Sequence, residues 1–307
     1  MEIIKYIHQQ ISQGIYRGAS LAIFDKGAWS DFYIGTLDGD RPVTSGLVYD
    51  LASVSKVVGV GTVLIQLLSR NKIALDDNLV VYYPDFHDET VTLRQLVTHT
   101  SGIDPFIKNR NQMSSPDLKK AINKIKVTKD KRFLYTDINF LLLGFMLENY
   151  FEDSLDTIFT REVFVPFGMT ETCFGPVEQA VPTQKGKKAG IVHDPKAAIL
   201  GVHSGSAGLF STVSDLKKYA EHYLVDTFAK GLTRNVATED KKRSIAWDLD
   251  NDWLLHTGYT GTFVMINQMS QQAVIFLSNR TYDKDNRKQW IKDRNQLIEV
   301  IKKELRK

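Results

Sequence analysis

The sequence predicts a mixed α/β (α+β) fold: an antiparallel sheet flanked by helices and built from both chain ends, with a mostly helical region inserted between them. Three observations predict it. β-Prone runs occur near the start of the chain and again beyond residue 240, helical patterns dominate from about 70 to 200, and amphipathic stretches open and close the sequence. A chain of 307 residues with 43% hydrophobic content can bury a sizeable core. The expectation is one domain over 1–307, its sheet portion formed by 1–69 and 205–307 and its helical portion by 70–204.

At the N-terminus Ile4, Ile7, Ile11 and Ile15 recur at helical spacing among polar residues, which marks an amphipathic helix and not the continuous apolar core of a signal peptide. Runs at 19–24 and 29–35 flank the turn sequence Asp25-Lys26-Gly27 and read as a hairpin. A long apolar helix starts near Ser53 and reaches about Leu68. Further helices are expected at 93–98, 115–124, 138–150 and 154–164, separated by loops that often carry Pro or Gly. After a helix at 214–224 with Ser214 as its N-cap, strands return at 244–248, 253–257, 262–268 and 273–279, the last two joined by a short connection over 269–272. From Asp285 onward Ile291, Ile298, Ile301 and Leu305 share a face, with Leu297 beside them, so the closing helix is expected to pack on the sheet.

Lys and Arg total 39 against 36 acidic residues, and a net charge of +3 gives no field that argues for nucleic acid or an anionic membrane. Basic runs at 119–132, 185–188 and 302–307 read as solvated faces and loops. The single cysteine, Cys173, excludes an internal disulfide and a multi-cysteine metal site, and it is expected to be a buried structural thiol. No window approaches the roughly eighteen apolar residues of a membrane span. With no signal peptide in view, a cytoplasmic protein is expected. His87, His99 and His193 lie in no metal-ligand spacing, His99 being read as the close of a helix, so neither metal nor cofactor is expected. A G-x-S-x-G elbow and a phosphate-binding loop are both missing.

Chemistry enters at Ser53-Val54-Ser55-Lys56, where a hydroxyl and an amine three residues apart share one face at a helix start. The unpaired N–H groups there would favour a developing oxyanion. Two more pairs have this spacing, but Ser69 and Lys72 lie at a helix exit, and Ser214 and Lys217 read as a cap followed by an exposed lysine. Lys56 can act as a base only when neutral, so burial or nearby positive charge is expected to lower its proton affinity. Tyr135-Thr136-Asp137 puts a phenol and a carboxylate ahead of an apolar helix, and read alone it is a buried tyrosine with an N-cap acid. His256-Thr257-Gly258-Tyr259-Thr260-Gly261 follows a strand and offers donors along an edge that a ligand can approach closely.

These pieces stand in one chain order, and with them the sequence resembles the serine β-lactamase and penicillin-binding-protein-like hydrolases, closest to the class C and esterase branch. The motif set of that family runs S-x-x-K, Y-x-N and K-T-G, with H-T-G a frequent form of the last. The stretches 91–102, 165–169 and 207–212 add to the likeness, which spans about residues 19 to 280. The resemblance implies a β-lactamase/transpeptidase-like fold and an acyl-enzyme mechanism on a small-molecule or short-peptide acyl substrate. It makes Ser53 the nucleophile and Lys56 and Tyr135 its proton-transfer partners. The backbone N–H groups of Ser53 and Tyr259 become the oxyanion hole, and Asp137, His256, Thr257 and Gly258 the substrate-binding set.

Two departures bear on the substrate. Histidine at 256, with an ordinary pKa of about 6.5, is mostly neutral at pH 7 where the lysine form would hold a carboxylate as a permanent cation. Asp137 in place of the amide of Y-x-N removes N–H donors and adds negative charge. Both favour an esterase or a peptidase acting on D-amino-acid derivatives over efficient β-lactam turnover. A D-Ala-D-Ala carboxypeptidase or penicillin-binding protein is the alternative within the same chemistry, and a catalytically silent binding module the alternative outside it.

Overall fold

The computed structural model describes residues 1–238 and 241–306. Strand β1 (Gly18–Asp25) turns through Lys26 and Gly27, both at positive φ, into β2 (Ala28–Gly35), as the hairpin reading expects. The other edge of β1 pairs with β9 (Gln272–Ser278), which is followed outward by β8 (Phe263–Asn267), β7 (Trp253–Thr257) and β6 (Asp248–Asp250). The order β2-β1-β9-β8-β7-β6, antiparallel throughout, thus pairs the first strand of the chain with the last.

Strand periodicity decides what covers each face of this sheet. Phe263 and Met265 of β8, with Val274 and Phe276 of β9, look to one side, where α1 (Glu2–Ser12) and α10 (Arg287–Leu305) bring Ile3, Ile7, Trp290, Leu297, Ile298 and Ile301 against them. Each such side chain contributes roughly 1.5–3 kcal/mol when fully buried, which is ample to hold both terminal helices. Ile291, expected on the covered face of α10, is exposed, and Trp290 takes the buried position.

Val264, Ile266, Ile275 and Leu277 face the larger core, shared with the helices. Its axis is the stretch Ala52–Ser69, a 3₁₀ turn (Ala52–Val54), a π turn (Val57–Gly61) and α2 (Thr62–Ser69). The Val57 carbonyl accepts from Thr62 Oγ1 at 2.7 Å and from the Tyr219 hydroxyl at 2.9 Å, side-chain donors of the kind that sustain a local break in the α-helical ladder. By length and composition this stretch is apolar enough to cross a membrane, contrary to the expectation, but 83% of it is buried inside the fold.

Around it lie α3 (Leu79–Tyr82), α4 (Leu93–Thr98), α5 (Ser115–Asn123), α6 (Asp137–Phe151), α7 (Leu155–Phe159), α8 (Pro195–Leu200) and α9 (Val213–Val225). A second, three-stranded sheet joins β3 (Tyr49–Asp50), β5 (Leu209–Ser211) and β4 (Cys173–Phe174) in the order β3-β5-β4. Three expectations are corrected. Thr212, not Ser214, caps α9, its Oγ1 accepting from the Asp215 N–H at 3.2 Å. The strand expected at 244–248 forms only at Asp248–Asp250, because the chain turns back at Ala246 (φ +69°) and the Ser244 N–H bonds the Trp247 carbonyl. Cys173 is exposed on a short edge strand and is no buried thiol.

Candidate active site

A buried carboxylate builds the turn that presents Ser53. Asp50, at the end of β3, accepts from the Ala52 N–H through Oδ1 and from the His193 N–H through Oδ2, both at 2.8 Å. The Asp50 and Leu51 carbonyls take the hydroxyls of Thr260 and Thr262 at 2.9 and 3.0 Å, and the Leu51 N–H reaches the Leu209 carbonyl. So braced, Ala52 sits at φ +47°, a left-handed position that costs a non-glycine residue of order 1 kcal/mol. Ser53 follows at the head of the long helix, half-buried and facing a cavity of about 1360 Å³.

One helical turn on, Lys56 is fully buried, and its Nζ donates to Ser53 Oγ (2.9 Å), Asp137 Oδ1 (2.7 Å) and the Ser206 carbonyl (2.8 Å). Those are all the donors an ammonium has. Burial pulls its proton affinity down, but Asp137 foremost, with Tyr135, more than offsets this, so the amine lies above its ordinary range. The expectation that Lys56 is shifted toward neutrality is thereby reversed. Asp137, for its part, is pushed up by burial and held down more strongly by Lys56 and Lys196, ending well below the usual carboxylate range. Its second oxygen lies 3.1 Å from Lys196 Nζ, so both oxygens serve lysines while the residue still lines the cavity. The N-cap of α6 is Thr136.

Tyr135 is 38% exposed, against the buried reading of it, and its ring centroid lies 5.3 Å from Lys56 Nζ. The ring leans on His99 at 4.4 Å. His99 closes α4 at φ +59°, as expected, and its Nδ1 accepts from Asn139 Nδ2 (3.0 Å) and the Thr136 N–H (3.4 Å). Burial, then Arg243 and Lys56, holds this imidazole well below its ordinary pKa, hence neutral.

The opposite wall is the end of β7. Gly258 packs so closely on the Ser53 turn that a Cβ would stand 2.6 Å from the Leu51 carbonyl oxygen and 2.1 Å from Thr262 Oγ1. No side chain fits there. Thr257 Oγ1 accepts from Arg294 Nη1 at 3.0 Å, and Tyr259 is stacked by Arg280 and Arg287, with its carbonyl bonded to Arg280 Nε and its hydroxyl to Asp285. Among the described residues neither the Ser53 N–H nor the Tyr259 N–H has a hydrogen-bond partner. His256 is buried with both ring nitrogens unpartnered in the same sense, and burial, then Lys56 and Arg243, keep it neutral.

Sequence reading missed Arg243, Lys196 and Asp50. Arg243 is 3% exposed, lines the cavity, gives Nη2 to the Ala246 carbonyl at 3.2 Å and leaves Nε unpartnered among the described residues. Lys196 rides at the start of α8, where Asp194 as N-cap followed by Pro195 is a legible helix start, although nothing in it says where the lysine points. Of the other serine–lysine pairs, Ser69 bonds the Gln66 carbonyl and Lys217 pairs with Asp31, and neither pair lines the cavity.

The model of the beta-lactamase family matches residues 3–298. A protein of Escherichia coli (strain K12), provisionally named a D-alanyl-D-alanine carboxypeptidase, is 25% identical over 91% of this chain and 81% of its own length. The D-alanine carboxypeptidase AmpC from Burkholderia cenocepacia superposes with a TM-score of 0.74 at 16% identity, covering 97% of this chain and 99% of that one. EstCE1, a hydrolase with promiscuous acyltransferase activity, superposes with a TM-score of 0.73 at 16% identity, covering 90% and 92%.

Proposed function

Because this chain belongs to the beta-lactamase family, we infer that its cavity is the site of an acyl-serine hydrolase, and that the preferred acyl donors are esters or amides of D-amino-acid type with a free carboxylate. The observation that carries this reading is the 2.9 Å contact of Lys56 Nζ with Ser53 Oγ inside a cavity that also holds Arg243. Ser53 Oγ bonds to the carbonyl carbon, the carbonyl oxygen takes the negative charge between the Ser53 and Tyr259 N–H groups, and collapse breaks the bond to the leaving alcohol or amine, which departs with a proton. Water then releases the acyl group by the same path. One oxyanion donor of this kind is worth about 3 kcal/mol.

Proton accounting constrains the first step. An ammonium with three donors engaged cannot accept the Ser53 proton, so the Lys56–Tyr135 couple first has to lose one, and Tyr135 is the member that solvent reaches. Activity is therefore expected to rise with pH. Arg243 supplies the permanent cation that a neutral His256 does not, which favours carboxylate-bearing donors and keeps the carboxypeptidase and esterase readings within one chemistry.

The test is intact-mass spectrometry after exposure to p-nitrophenyl esters, D-alanyl peptides and penicillin. Wild type is expected to gain one acyl group and Ser53→Ala none. Equal labelling of both proteins would remove the reading.

A further inference from the structure

The groups that hold the nucleophile form a closed circuit. Lys56 Nζ meets Asp137 Oδ1 (2.7 Å), Asp137 Oδ2 meets Lys196 Nζ (3.1 Å), and Lys196 Nζ meets Asp194 Oδ2 (3.0 Å). The next residue back, His193, gives its N–H to Asp50, and Asp50 takes the Ala52 N–H beside Ser53. Charges alternate along the first four members, + − + −, and sum to zero. Lys196 is 6% exposed, so its ammonium is largely withdrawn from water and its attraction for Asp137 is screened less than that of a surface pair.

We propose that Lys196 is a positioning residue for the Ser53–Lys56 pair, a second cation that holds Asp137 by its free oxygen and divides a carboxylate charge that would otherwise fall wholly on Lys56. An amide at position 137 needs no such partner. A carboxylate does, because an undivided negative charge 2.7 Å from the buried amine would bind the very proton that the couple has to lose. The remaining charged or titratable groups facing Lys56 are Tyr135, which favours the ammonium, and Arg243 with the neutral His99 and His256, which do not contribute negative charge. Asp137 is thus the carboxylate that governs Lys56, and Lys196 the cation that shares it.

The inference rests on the acyl-serine reading, and its test separates the two. In Lys196→Met the rising limb of kcat/KM is expected to move about one pH unit upward, with activity at pH 7 falling roughly tenfold and KM nearly constant. Lys196→Arg is expected to leave the limb in place, and Asp137→Asn/Lys196→Met to bring it back to or below its wild-type position. The same ordering is read without substrate from the pH titration of the Lys56 Nζ resonance in ¹⁵N-lysine-labelled protein. An unmoved limb and an unmoved Lys56 titration in folded Lys196→Met would overturn the proposal. A shifted Lys56 titration in a protein that no acyl donor labels would uphold it while removing the hydrolase reading.

Discussion

The two walls of the cavity are built on opposite terms. On the helical wall every donor of Lys56 is engaged, both oxygens of Asp137 are paired, and the Ser53 turn is tied down at Asp50, Leu51 and Ala52. Buried polar atoms that stand open among the described residues lie mostly at guanidinium and imidazole groups of the strand wall, Arg243 Nε, both nitrogens of His256 and Arg280 Nη2, while the helical wall leaves open His99 Nε2 and Ser206 Oγ away from the Lys56 donors. A buried polar group left unmade costs about 1–3 kcal/mol. The paired wall holds its geometry before substrate arrives, whereas the open atoms of the strand wall are sealed from solvent, and a ligand meets them only where the side chains around them move. Under the proposed function the first wall carries the chemistry and the second the recognition.

The largest effect is expected from breaking the saturated wall at its centre. Lys56→Met keeps most of the length of the side chain but strips a donor from Ser53 Oγ, from Asp137 and from the buried Ser206 carbonyl at once. Acylation of Ser53 should fall by at least about 10³-fold. Thermal stability should fall too, since removing one member of a buried ion pair costs about 3–5 kcal/mol, eased here because Lys196 still pairs with Asp137. Stopped-flow acylation and calorimetry check the two parts. A variant that acylates at the wild-type rate would show that the saturated wall is scaffold alone.

The open wall is tested next by Arg243→Met. Removing a guanidinium from a ligand carboxylate is expected to raise KM about 10–100-fold for donors that carry one, with a far smaller change for neutral esters. The change in folding stability is expected to be modest, because removing a buried cation whose nearest carboxylate oxygen, on Asp248, lies 3.9 Å away offsets the loss of its hydrogen bond to the Ala246 carbonyl. Equal losses on both donor types would mean that Arg243 supports the wall and does not read the substrate.

How much of this was legible in the sequence follows from the same contrast. Ser53 and Lys56 are three residues apart on one helix, and the hairpin at Asp25-Lys26-Gly27 is equally local, so spacing alone could announce them. The sense of the Lys56 shift was not legible. Its burial could be read from the apolar run, but the carboxylate that outweighs burial arrives from a position 81 residues on, and the cation that shares that carboxylate from 59 residues further still. Arg243 stands one residue before the strand expected at 244–248, and nothing in that reading announces an arginine folded back under a turn at Ala246. Cys173 and Ile291 failed for a related reason: residue type favours burial for the first and helical spacing places the second on the covered face, and only the edge of a small sheet and the mouth of the cavity leave them exposed.

The smallest effect concerns a group that satisfies the terms of one wall and yet behaves as though it belonged to the other. Asp50 has both oxygens hydrogen-bonded, but burial, with the charge of Asp194 adding to it, outweighs the N–H groups of His193 and Ala52 and its carboxyl is pushed up to about 6. The unfolded chain releases this proton near pH 3.9. The folded protein therefore binds it more tightly, and the stability it contributes is complete below about pH 4 and is lost as pH rises through about 6. His99 and His256 run the other way in the same window: held neutral in the fold, they contribute stability above about pH 6.5 that is lost as pH falls. The net slope of wild type mixes both signs, so the informative quantity is the difference from Asp50→Asn, in which the histidines cancel. That variant is expected to be worse at pH 4.5, where it gives up one acceptor for an N–H group, and to gain on wild type by on the order of 2 kcal/mol between pH 4.5 and 7.5. Denaturant unfolding at the two pH values measures it. A difference that stays constant would show Asp50 ionised throughout, and the Ser53 turn would then rest on a carboxylate as fully stabilised as Asp137.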